Sequence, residues 1–322
     1  MIDYFLLTIY YWHSFLSAFE QLIINNQWQI VNSKSKMPSH NLARIEIDNL
    51  EIIGYSVAGE ETVVAIPQLD VCFDVGKAPD QIIPINNVLL THGHMDHAAG
   101  LAYYLSQRNF CGISAGTILA PHNLLGPMRD IIDAWSKLDG SKIPVKLVGV
   151  KPGDEHQIKP NLFARAFPTK HTRGSVGFTV IEKRKKLKSE YSHLTGPQIV
   201  QLKKQGTEID YPLEFPIVTY LGDTQYVDFS QLQYIADSKI LIAECTFYEG
   251  EHASRAKAGR HMHVDELATL LGNLNKEHII NTHTTQRTAM NEIRKILKAA
   301  LEPKLYAKTI ILMANRPRLR TH

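Results

Sequence analysis

Beyond residue 37 the chain alternates short apolar runs with polar breaks. The segments 44–47, 51–55, 62–66 and 71–75 are rich in β-branched residues and separated by Gly, Asp, Asn and Pro, which predicts a meander of strands. Residues 87–91 (NVLLT) form a short continuous apolar run, the pattern of a strand buried on both faces. Apolar residues then recur at helical spacing over 98–108, and 117–120 returns to strand. A second helix is predicted over 123–138, followed by strands at 145–150 and 162–167. The second half repeats this style, with strands at 176–181, 217–221, 240–243, 278–281 and 309–313 and helices at 264–274 and 290–300. Two such halves predict an α/β protein whose sheets pack face to face with helices outside.

Residues 1–37 read differently. The stretch 5–19 is apolar and aromatic, interrupted by His13 and Ser14, and is shorter than a membrane span requires. No Lys or Arg precedes it and Asp3 stands where a secretion signal carries positive charge. An extra packed helix, an interfacial or partner-binding helix, and an early start with Met37 as the true beginning all fit. The expected division is an N-terminal extension of unknown role, 1–37, and one main domain, 38–322.

Composition narrows the class. With 322 residues, 44% hydrophobic and 21% charged, the chain has material for a sizeable core without covalent staples, which excludes a wholly disordered or fibrous protein. Cys72, Cys111 and Cys245 lie far apart, an odd count with no C-x-x-C, which excludes a disulfide framework and a cysteine-built zinc site and suits a reducing cytoplasm.

The run Thr91-His92-Gly93-His94-Met95-Asp96-His97 puts four candidate ligands within six residues, directly after a buried strand. Imidazole with carboxylate suits zinc and neighbouring first-row metals. His92 and His94, two apart on an irregular turn, converge on one ion, while Asp96 and His97 open the next helix and face a second. Three further candidates each follow a predicted strand end: His171, Asp223 after Gly222, and His283.

This order, H-x-H-x-D-H and then His, Asp and His, resembles the ligand series of the metallo-β-lactamase superfamily and, within it, the ribonuclease Z enzymes that process tRNA 3′ ends. The resemblance runs from about residue 43 to 313. It implies an αβ/βα four-layer sandwich with a dinuclear site at one edge. It also implies His92, His94, His171 and Asp223 on one metal, and Asp96, His97, Asp223 and His283 on the other. Two Zn2+ are the expected cofactors, with Mn2+ or Fe2+ as alternatives, since affinity alone rarely decides the metal. Cations roughly 3.5–4 Å apart lower the pKa of a shared water and stabilise a phosphoryl transition state; Asp96 would aim that water.

Features beyond the ligands point to phosphodiester chemistry. Ala243-Glu244-Cys245-Thr246 resembles the family's H-E-A-T segment with its histidine replaced, and His261-Met262-His263 its H-S-T segment. A Glu244–His261 pair suits protonation of a departing ribose oxygen, with His263 as a rival. Arg287, in Thr282-His-Thr-Thr-Gln-Arg287, and Ser175, in the segment after His171, are the candidate substrate contacts near the centre. The segment 181–210 holds seven basic residues, among them Lys183, Arg184, Lys185 and Lys186, against four acidic ones. That excess of three equals the net charge of the whole chain, so an arm at about 181–215 is the expected electrostatic handle for RNA. Arg316, Arg318 and Arg320 form a second basic patch, read as a tail. One departure stands out: the family's P-x-K-x-R-N element is replaced near residues 56–62 by Ser-Val-Ala-Gly-Glu-Glu-Thr, whose Glu60 and Glu61 would repel phosphate. The expected activity is a ribonuclease Z-like endoribonuclease acting on tRNA precursors, cytoplasmic, homodimeric and without membrane partners. A small-molecule phosphodiesterase and a non-catalytic RNA-binding paralogue are the alternatives.

Overall fold

The computed structural model describes residues 42–313. The extension 1–37 and the Arg316–Arg320 tail therefore lie outside the described residues. Two seven-stranded sheets carry the fold. The first runs β1 (Ala43–Ile47), β2 (Leu50–Val57), β3 (Glu61–Ile66), β4 (Val71–Phe73), β5 (Asn87–Leu89), β6 (Thr117–Pro121) and β7 (Lys146–Val150), in that spatial order. The second has β8 (Glu155–Lys159), β9 (Leu162–Pro168), β10 (Val176–Leu187), β11 (Asp210–Tyr220), β12 (Ile240–Glu244), β13 (His278–Thr282) and β14 (Thr309–Ile311), also in sequence order. Each sheet begins with four antiparallel strands and ends with parallel ones, so the two halves repeat one topology.

Three apolar clusters glue four layers together. Ile52, Val64, Phe73 and Leu89 of the first sheet meet Ala166, Phe178, Tyr220 and Ile242 of the second in the central layer. Leu101, Tyr104 and Leu105 from the helix Leu101–Phe110, with Met128 and Ile132 from the helix Leu125–Asp139, cover the outer face of the first sheet. Leu267, Leu270, Ile293 and Leu297, from the helices Val264–Asn273 and Met290–Ala300, cover the second. This is the expected αβ/βα arrangement. Strands β5 and β12 are buried along their whole length because helices and the opposite sheet close both faces.

The sequence pattern stops short in two places. Strand β8 is polar and lies at a sheet edge, so no apolar alternation announced it. Strands β10 and β11 continue well past their apolar halves: pairing runs from Glu182↔Phe215 to Leu187↔Asp210, after a bulge at Val180/Ile181. Beyond Glu182 these strands pair only with each other, and burial gives way to exposure. The helix Gly196–Lys204, started by a Thr195/Gln198 capping box with Pro197 in its first turn, closes this ribbon.

Candidate metal centre and catalytic pocket

The carboxyl ends of the parallel strands converge at one edge, where open α/β sheets offer loops for chemistry. The turn after β5 brings His92 and His94, and the short helix Met95–Ala98 brings Asp96 and His97. Asp223 follows β11, Glu244 ends β12, and His283 follows β13, while the β9–β10 connection brings His171. Asp223 follows Gly222, whose φ of 63° suits glycine and where a Cβ would meet Thr91 at 2.8 Å. His283 and Asp74 adopt φ of 54° and 55°, a left-handed backbone held at the site by its surroundings.

Ligand atoms of His92, His94, His171 and Asp223 lie within 4.8 Å of one another, as do those of Asp96, His97 and His283. Asp223 Oδ2 stands between the sets, 3.7 Å from His92 Nε2 and His171 Nε2, 3.2 Å from His97 Nε2 and 3.3 Å from His283 Nε2. An oxygen so placed can serve both groups.

The outward-facing nitrogens explain why the inner ones are available. His97 Nδ1 lies 2.8 Å from Asp74 Oδ2 and donates to it. Thr91 Oγ1 donates to Asp74 at 2.9 Å, so it accepts from His92 Nδ1 at 3.0 Å. His171 Nδ1 donates to the Arg260 carbonyl at 3.2 Å. The Nε2 atoms of His92, His97 and His283 are buried without a hydrogen-bond partner, while His171 Nε2 lies 3.1 Å from His94 Nδ1. Buried polar atoms are rarely left so. Three orphaned nitrogens around carboxylates fit a pair of divalent cations, and the all-N/O donor set suits zinc or its neighbours. Burial, reinforced by His97, keeps His92 neutral. Burial alone would raise Asp96, but the neighbouring imidazoles of His283 and His97 outweigh it and hold the carboxyl below its usual range. Asp96 is fixed besides by the Gly59 N–H, which donates to Oδ2 at 2.9 Å from the β2–β3 turn.

Beside this cluster, His261 Nδ1 lies 2.9 Å from Glu244 Oε1, and Glu244 also accepts from the Thr224 N–H and the Thr246 hydroxyl. Burial would lower His261, yet Glu244 and then Asp223 prevail and push it up to about 9. His261 lines a cleft of about 370 Å³ together with His94, Asp96, Asp223, Phe247, His283 and Arg287.

Residues 67–284 match the β-lactamase superfamily domain model. The chain is 31% identical to tRNase Z TRZ1 of Arabidopsis thaliana over 83% of its length and 96% of that protein. The chain belongs to the ribonuclease Z branch of the metallo-β-lactamase superfamily. It is also 29% identical to the chloroplastic tRNase Z TRZ2 of the same plant, over 84% of this chain and 77% of that protein. The metallo-β-lactamase fold protein YhfI of Bacillus subtilis shares the fold, with a TM-score of 0.54 at 16% identity over 80% of this chain and 92% of that one.

Within this ribonuclease Z-type chain the remaining expected residues divide. His263 does not face the cleft: it caps the helix Val264–Asn273 and its Nε2 lies 3.1 Å from the Glu249 carbonyl. Ser175 is buried in the turn that carries His171, bonded to Thr169, and does not line the cleft. Glu61 is buried as well and accepts from the Lys77 N–H, whereas Glu60 stays near the rim and accepts from Tyr55 and Gln286. In the arm, Lys183 is paired with Glu155 and Glu214, and Arg184 with Glu182 while stacked on Phe215. Lys185 and Lys186 are exposed. Asp74, Thr91 and Thr246 were missed by the sequence reading. Asp74 had one available signal, an acidic residue ending an apolar strand, as Asp223 does.

Proposed function

We propose that the protein is a metal-dependent endoribonuclease that processes the 3′ ends of tRNA precursors. The observation that carries this reading is the clustering of six His and Asp side chains around Asp223 beside a Glu244–His261 pair, in a chain about 30% identical to tRNase Z proteins over most of its length. His92, His94, His171 and Asp223 would hold one cation and Asp96, His97, Asp223 and His283 a second, with two zinc ions the proposed complement. When bound, such cations supply Lewis acidity toward the scissile phosphate and activate water.

The chain's own residues supply the rest. His261, held in orientation by Glu244, presents Nε2 to the cleft and protonates the departing ribose 3′-oxygen. Asp96, fixed by the Gly59 N–H, orients the attacking water, and Arg287 at the rim contacts a phosphate. The ribbon 182–215 supplies Lys185 and Lys186 for the RNA backbone, while Lys183 and Arg184 brace it through their ion pairs. We propose a homodimer as well, with the exposed row Ile131, Trp135 and Leu138 on the helix Leu125–Asp139 as the face a second copy covers. All three cysteines are free thiols, which supports a reducing compartment. No described helix is long and apolar enough to cross a membrane.

The direct experiment incubates zinc- or manganese-loaded protein with a 3′-extended tRNA precursor. Cleavage after the discriminator base, abolished in His94→Ala, is expected. Turnover of bis(p-nitrophenyl) phosphate without cleavage of the precursor would instead identify a small-molecule phosphodiesterase.

A further inference from the structure

Thr246 occupies a position that the donor and acceptor inventory makes unambiguous. Its Oγ1 lies 2.6 Å from Glu244 Oε2 and 2.8 Å from His283 Nδ1. Glu244 accepts three donors at once: the Thr224 N–H, His261 Nδ1–H and the Thr246 hydroxyl. A carboxylate in that role has no proton to give, so the single Thr246 hydrogen goes to Glu244. The Thr246 oxygen is then free only to accept, and His283 Nδ1 must carry the hydrogen. That leaves a lone pair on His283 Nε2, the atom buried without a partner 3.3 Å from Asp223 and 3.5 Å from Asp96. The first sheet contains the same device: Thr91 Oγ1 stands between Asp74 and His92 Nδ1. Two threonines, one in each half of the sandwich, thus each sit between a buried carboxylate and an imidazole of the cluster.

We propose that Thr246 is a positioning residue that locks His283 in the Nδ1–H tautomer and so makes Nε2 a ready ligand. It also joins His283 and the Glu244–His261 pair into one hydrogen-bonded unit. The inference rests on the metal-centre reading. A serine keeps the hydroxyl; a valine keeps the shape but strands the buried His283 N–H without an acceptor.

The test titrates Zn2+ alone against a chromophoric chelator in wild type, Thr246→Val and Thr246→Ser, and records the ring-nitrogen NMR shifts of His283 in zinc-free protein. Thr246→Val is expected to bind one of two zinc ions roughly 10–100-fold more weakly, as removal of a ligand's hydrogen-bond partner generally does. Thr246→Ser is expected to restore affinity to within about threefold of wild type, since it keeps that partner. In the wild type the His283 proton should sit on Nδ1. Unchanged zinc affinity in Thr246→Val, or a wild-type proton on Nε2, would overturn the inference while leaving the metal centre standing. A wild-type protein that took up no zinc would overturn both. Should Thr246→Val fail to fold, the ring-nitrogen shifts of wild type and Thr246→Ser decide the matter.

Discussion

At the scale of single residues, four imidazoles of the site, His92, His97, His171 and His283, are each divided into an inward nitrogen that works and an outward one that is held. Asp74, Thr91, Thr246 and the Arg260 carbonyl take the held nitrogens, and the working ones meet at Asp223. His261 differs, because its held nitrogen faces Glu244 and its other edge opens to the cleft. From this follows a prediction about leaving groups. His261→Ala should lower kcat for a tRNA precursor by about 10²–10⁴, the ordinary worth of a general acid. It should lower kcat for bis(p-nitrophenyl) phosphate far less, because p-nitrophenolate departs without a proton. Equal losses on both substrates would show that His261 does something other than protonate the leaving oxygen. The seven candidate ligands were legible because His92, His94, Asp96 and His97 fall within six residues of one loop, and His171, Asp223 and His283 each follow a predicted strand. Thr91 and Thr246 were not, because a threonine near a strand end is ordinary until its neighbours in space are known.

The arm is the element where sequence and structure part most. Charge drew attention to residues 181–210, but a count of lysines says nothing about which are committed. Pairing across β10 and β11 puts Lys183 opposite Glu214, and Glu155 on the neighbouring edge adds a second carboxylate. Lys203 is likewise paired with Asp210 at 2.8 Å. Such exposed pairs contribute little stability, yet they take those charges out of the electrostatic handle. Replacing the exposed Lys185 and Lys186 and the half-buried Lys188 of the same basic run together by alanine is therefore expected to weaken precursor binding and to flatten its salt dependence. The logarithmic slope should fall by about 0.7–0.9 for every phosphate no longer neutralised. Turnover of bis(p-nitrophenyl) phosphate should not change. Lys183→Ala, by contrast, should affect the salt slope little; a slope change as large as that of the triple variant would contradict this division.

Across the whole molecule, the second sheet is closed beneath its helices by a buried cation. Lys276, fully enclosed, places its three N–H donors among the carbonyls of Ile235, Ala236 and Ser238 and the Ser238 hydroxyl, tying the turn after the helix Gln233–Ala236 to the approach to β13. Burial lowers its pKa to about 8. The sign follows directly: between pH 8 and roughly 10.5, the unfolded Lys value, the unfolded chain binds the proton that the folded one has released, so stability rises with pH across that window. Lys276→Met should cost about 2–4 kcal/mol near neutrality, because it strands buried carbonyls. It should also abolish that rise, which urea unfolding at pH 7, 8, 9 and 10 would reveal. At the same scale, Trp135→Glu is expected to shift the protein toward monomer in light scattering; an unchanged mass would remove the helix Leu125–Asp139 from the proposed interface. What the chain determined by itself was periodic and local: the alternation of strand and helix, the doubled half, and the spacing of histidines on one loop, all fixed by side-chain direction along a regular backbone. What only tertiary structure decided was which polar groups share a neighbourhood. Tyr220 reaches Asp74 across 146 positions and His283 N–H reaches Ser56 across 227. No pattern along the sequence encodes such pairs, because hydrogen bonds and ion pairs are selected by distance in space after the sheets have packed.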